Sequence, residues 1–245
     1  MDTGLFIIAA IAVTFAGISK GGFGSGAAFA SSTILALVIP PTQALGIMLP
    51  LLMLMDVANL KPYWKKWAWP ESKVLILGGI PGVALGAALF TVANDDLLRF
   101  LIGVVAIGFV VWHRWPGRKG PVKPLPESAG FVAGLVAGFT SFISHAGGPP
   151  AAVYLLSRDI GKTPYQASTV LIFWVINIAK FVPYAFLGVF TVQTFTMDLY
   201  LAPFALIGAW IGVKAHHMVS EKAFFALTYV LLLITGGKLI FDALT

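Results

Sequence analysis

Lys20, Asp56, His145, Asn177 and Lys180 stand inside or at the edge of long apolar runs, and they are the side chains here that could do chemistry. Ionisable groups at membrane depth are costly and are functional candidates by default. A lysine or a protonated histidine complements an anion. A histidine, whose ordinary pKa is near neutral, can also carry a coupling proton. His145, Asp56, Asn177 and Lys180 are therefore candidates for coupling or gating. Structural roles stay open beside these. Lys180 and Lys238 could reach outward to an interface. Asp56, three residues before Asn59, could pair with a nearby lysine, and Arg99 is expected to pair with Asp95 at i,i+4.

Lys20 and His145 each belong to a glycine-rich break in the apolar pattern. One break reads Lys20-Gly21-Gly22-Phe23-Gly24-Ser25-Gly26, the other Ser144-His145-Ala146-Gly147-Gly148-Pro149-Pro150. Non-helical backbone within a bilayer is tolerated only where it is buried in protein or lines a cavity, and in transporters such breaks commonly form the substrate site. Glycine lets a ligand approach the backbone, and proline suits the first turn of a helix. Helices beginning near Gly24 and Gly148 would aim free N–H groups and a positive dipole end at one cavity, which favours an anion. The expected substrate-binding residues are Lys20, Gly21, Gly22, Gly24, Ser25, Gly26, Ser144, His145, Gly147, Gly148 and Pro149. Gln43 and Gln166, which begin two later segments at matched positions, could add neutral amide donors. Each has a plainer alternative: small-residue helix packing for the glycines, local backbone bonding for the glutamines. Packing is the expected role of Gly82-xxx-Gly86, Gly134-xxx-Gly138 and Gly208-xxx-Gly212.

Composition sets the class of the elements that must position these residues. The chain is 58% hydrophobic and 11% charged, whereas a soluble domain has about a quarter of its residues charged. An integral membrane protein follows. The apolar runs have helical length and no strand-like alternation, so the fold expected is all-α, not a barrel. Ten segments can be marked, at 4–19, 26–39, 42–61, 73–93, 97–113, 128–143, 150–157, 165–188, 196–213 and 223–241. Against the ~20 residues of a full span, the first, second and sixth are marginal and the seventh is too short. Segments 1–2 and 6–7 are thus expected as short broken or re-entrant helices meeting near the midplane, with tilted short spans as the alternative. The first segment lacks a basic leader and a cleavage site and reads as retained.

Twelve of the sixteen Lys and Arg residues fall in four loops: 61–73, 113–127, 158–162 and 214–222. The alternate loops are basic-poor. The positive-inside rule puts the basic loops in the cytoplasm and both termini outside, and Trp64, Trp67, Trp69, Trp112 and Trp115 flank the basic loops as interfacial anchors. The Pro/Gly/basic stretch 116–127 separates a first repeat, 1–115, from a second, 128–245. Gly24, Pro41, Gln43 and Ala44 match Gly147, Pro164, Gln166 and Ala167 at one offset. Five segments per half reverse the direction of entry, which makes an inverted-topology repeat.

With no cysteine there is no disulfide, thiolate metal site or thiol catalysis. No metal site, cofactor or nucleic-acid partner is expected, and no Walker motif is present for ATP-driven transport. An intramembrane serine hydrolase built on Ser25 and His145 is disfavoured, since Phe23 occupies the position of the first glycine in the rhomboid-type GxSG pattern. No enzymatic activity is expected.

The chain resembles the TauE/SafE family of sulfite and organosulfonate exporters. The likeness rests on the Gly21–Gly26 cluster, the Pro-x-Gln-Ala start of the third segment, the basic Trp-rich loop 63–69 and the His145–Pro150 motif, and it covers nearly the whole chain. It implies a transporter of a small sulfur-containing anion in a bacterial inner membrane. An anion channel and an uptake permease for another small anion remain open, as do a coupled proton and the oligomeric state.

Overall fold

The computed structural model describes residues 3–23, 28–114, 124–216 and 221–245. Ten α-helices and one π turn account for nearly all of it, and no strand occurs among the described residues. In order they are α1 (Thr3–Ile18), the π turn (Ser19–Phe23), α2 (Ala30–Leu35), α3 (Pro41–Tyr63), α4 (Trp69–Phe90), α5 (Asp95–Arg114), α6 (Glu127–Ser144), α7 (Gly148–Ser157), α8 (Lys162–Phe186), α9 (Val192–Ala215) and α10 (Glu221–Leu244). Each of the ten apolar segments yields one helix.

Seven helices have the length and apolar character to cross a membrane: Thr3–Phe23, Pro41–Tyr63, Trp69–Phe90, Glu127–Ser144, Lys162–Phe186, Val192–Ala215 and Ala226–Leu244. The first departs from expectation. The π turn carries α1 on to Phe23, so a segment that looked marginal reaches 21 residues. α2 and α7 remain short, with 6 and 10 residues, or about 9 and 15 Å of helix. α5 is not among the seven. It opens on Asp95 and Asp96, and Arg99 pairs with Asp96 at 2.8 Å where Asp95 had been expected. Asp95 instead accepts from the Thr42 hydroxyl.

Glycine seams hold the bundle together. α1 with its π turn packs on α9, and α6 packs on α4. A Cβ at Gly17, Gly21 or Gly22 would run into the backbone of α9, and one at Gly208 or Gly212 into that of α1 and the π turn. On the other side, Gly78 and Gly82 meet the backbone of α6, while Gly134 and Gly138 meet that of α4. Such close approach replaces the hydrophobic drive that lipid does not supply. α3 packs on α9 and α8 on α4; α3 also packs on α8, and α5 on α10. Exchanging every helix for the one five places on carries this set of pairings onto itself.

Candidate functional site

Buried polar side chains converge where α3 and α8 cross between the two breaks. Lys20, on the π turn, is 3% exposed and its Nζ lies 2.6 Å from Oδ1 of Asp56, which is fully buried. Asn177 Nδ2 donates to the other Asp56 oxygen at 2.7 Å. One turn along α8, fully buried Lys180 donates from Nζ to the carbonyl and hydroxyl of Ser141, each at 3.1 Å, and to His145 Nδ1 at 2.8 Å. Three acceptors match the three N–H bonds of an ammonium. Since His145 Nδ1 accepts, its Nε2 carries the hydrogen and donates to Leu45 O at 3.2 Å.

This arrangement is a polar thread, not a level pocket. Lys20 meets α3 at Asp56 and His145 meets it at Leu45, eleven residues apart, or about 16 Å along a helix. The breaks were expected to face each other near the midplane. Among the described residues, Lys20 and His145 touch α3 at separate levels. Two amines, Lys20 and Lys180, stand against one carboxylate, Asp56, in this thread.

The ends of the broken helices lack intrahelical donors for their carbonyls, and neighbouring side chains fill the gap. Gln166 Nε2 donates to Lys20 O at 2.6 Å, Tyr63 Oη to Gly21 O at 2.7 Å, and His216 Nδ1 to Gly22 O at 2.7 Å. At the second break, Tyr184 Oη donates to Phe142 O at 2.5 Å and Ser32 Oγ to Ser144 O at 2.9 Å. His145 takes a left-handed conformation, φ 56°, which ends α6. Pro149 and Pro150 occupy the first turn of α7, as expected.

The expected site residues divide accordingly. Lys20, Asp56, Ser144, His145, Gln166, Asn177 and Lys180 are all buried in or beside the thread. Lys180 does not reach outward, whereas Lys238 pairs with Asp242 on an exposed face. Gly21 and Gly22 face α9 in the packing seam, and Gly147 packs against Ala137, Ser141 and Phe173. Gly148 and Pro149 begin α7 and are buried. Gln43 is only half-buried, in the first turn of α3. Gly24, Ser25 and Gly26 lie outside the described residues, and α2 begins only at Ala30.

Sequence reading passed over Tyr63, Tyr184 and the role of Asn59. Asn59 is 1% exposed, and neither its amide nitrogen nor its oxygen has a partner. It shares a face of α3 with Asp56 and Tyr63 at i, i+3, i+7, and Asn177, Lys180 and Tyr184 repeat that spacing on α8. The recurrence is a visible signal. It sits at an offset of 121, whereas the Pro-x-Gln-Ala match drew attention to 123.

Comparison with known proteins gives one family. A family model described as "Sulfite exporter TauE/SafE" matches residues 9–239. No curated protein and no solved structure gives a significant match.

Proposed function

Because the chain belongs to the sulfite exporter TauE/SafE family, we propose that it is a secondary transporter exporting a small sulfur-containing anion, sulfite or a small organosulfonate, by alternating access. The observation that carries this reading is the pair of buried amines, Lys20 and Lys180, set against the single carboxylate of Asp56. Lys20 is neutralised by Asp56, while every acceptor on Lys180 is neutral. A buried ammonium without a counter-ion is expensive, and an anion entering the thread would supply one. Asn59 offers an amide donor with no competing partner; leaving it so costs about 1–3 kcal/mol, which a substrate oxygen would recover. Gln166 and Ser144 stand beside the two ends of the thread, where they would position the anion next to Lys20 and His145.

In the mechanism proposed, the two halves, 1–115 and 128–245, act as inverted repeats that rock about the α3–α8 crossing. The basic loops face the cytoplasm and both termini lie outside, in a bacterial inner membrane. The anion enters from the cytoplasm, exchanges for the neutral partners of Lys180, and leaves as the far end opens. An inside-negative potential favours that direction by about 2.3 kcal/mol per charge per 100 mV. The helix pairings that map onto themselves under a five-helix exchange support the repeat reading.

The test is sulfite flux in proteoliposomes. Wild-type protein should release trapped sulfite faster than empty vesicles, and Lys180→Met should abolish the gain while Lys238→Met keeps it. Failure of the wild type to move sulfite or any small oxyanion rejects the proposal. Current of channel magnitude in a planar bilayer would reject alternating access alone.

A further inference from the structure

Asp198 lies outside the thread. It sits in the second turn of α9, 7% exposed, with Oδ1 buried and unpartnered. No ion pair among the described residues includes it. Its neighbours Met197 and Leu201 pack into an apolar core with Ala44, Ile47 and Met48 of α3. Thr194, Met197, Asp198, Leu201 and Ala205 form one buried stripe, so the carboxyl faces inward while Phe195, Leu199 and Tyr200 face out.

The packed elements bring no compensating charge to it. α1 carries no titratable side chain. The π turn offers Lys20, which is committed to Asp56 and lies beside Ala209–Val213, at the other end of α9. α3 meets the start of α9 at Gly46, against Val189 and Thr194; its titratable groups, Asp56, Lys61 and Tyr63, lie ten or more residues further on. On α9 itself, Tyr200 is exposed and Lys214 stacks on Trp210. An ionised carboxylate here would be unpaired in apolar surroundings, where a group takes up a proton instead.

We infer that Asp198 is a proton-binding site separate from the anion thread, and that its carboxyl gains and loses a proton during the transport cycle. A proton fits this place better than a metal cation. No group of three or more His, Asp or Glu that could hold a metal ion occurs among the described residues, and one carboxyl does not make a cation cage. A helix seam that must slide when the halves rock can carry a neutral acid and resists a bare charge. Asp198 belongs to α9, which packs against α1 across the two halves.

Two measurements test this. The first is independent of the transport reading: the full protein in liposomes is treated with dicyclohexylcarbodiimide, which attacks protonated carboxyls in apolar surroundings, and the adducts are mapped. Asp198 should be modified, with labelling falling about tenfold per pH unit above its midpoint and unchanged when sodium replaces potassium. An unmodified Asp198 at every pH, or labelling set by sodium, overturns the proposal. The second rests on the proposed function: trapped pH dye should report proton movement accompanying sulfite in the wild type. Asp198→Asn should move sulfite with at least a tenfold smaller proton signal. Equal proton movement in that variant, in protein that stays monodisperse, overturns the proposal. Absence of sulfite flux in the wild type would reject the transport reading and leave the labelling result to decide on Asp198.

Discussion

Lys20 and Asp56 form a buried ion pair at 2.6 Å, and the pair ties the π turn after the first helix to the second half of α3. Removing one partner of such a pair costs about 3–5 kcal/mol, because the other charge stays buried alone. Asp56→Asn should lower thermal stability in detergent more than Lys20→Met/Asp56→Leu, which removes both charges. A double variant as unstable as the sum of the single ones would show that the pair is not coupled.

The tyrosine caps should behave as equivalents. Tyr63→Phe strips the donor from Gly21 O and Tyr184→Phe strips it from Phe142 O. Each should cost about 1–3 kcal/mol, the price of a buried carbonyl left unpaired. Thermal unfolding of the two variants should fall by similar amounts. A shift in one and none in the other would break the equivalence.

The glycine seams tolerate no side chain. Gly138→Ala would drive a methyl into Gly79 O, and Gly212→Ala one into Ile18 O; Gly108 and Gly237 have open space. The first two variants should lose folded yield and stability. Gly108→Ala and Gly237→Ala should match the wild type, as measured by size-exclusion profile and melting temperature.

Ala146 is 1% exposed in the second break, and the chain has no cysteine of its own. Ala146→Cys should react with a membrane-impermeant maleimide only as fast as the protein opens, and sulfite should change that rate. Rapid reaction from one side, indifferent to sulfite, would count against an opening and closing of this region in transport.

Much of the fold was legible because membrane helices are written in composition. The ten apolar segments become ten helices with boundaries shifted by a few residues, and Pro149 and Pro150 open α7 as their ring geometry requires. The site was legible only in part. Lys20, His145 and Lys180 were found as charges in apolar runs, which is a local property. That Gln166 would cap the carbonyl of Lys20, or that Tyr63 would serve Gly21, depends on how distant helices pack, and no local pattern encodes it. The same holds for Gly21 and Gly22. Their glycine content suited a ligand or a neighbouring helix equally well, and the approach of α9 decided for the helix.

The α1–α9 seam bears on how the protein is made. Gly17 meets Gly208, so α1 finds its partner only once α9, eight helices later in the chain, has been made. Until then it waits in the membrane with its notched face bare and Lys20 dependent on α3 for a counter-ion. The two halves thus cannot finish one after the other: the newborn chain must hold α1 open until α9 arrives.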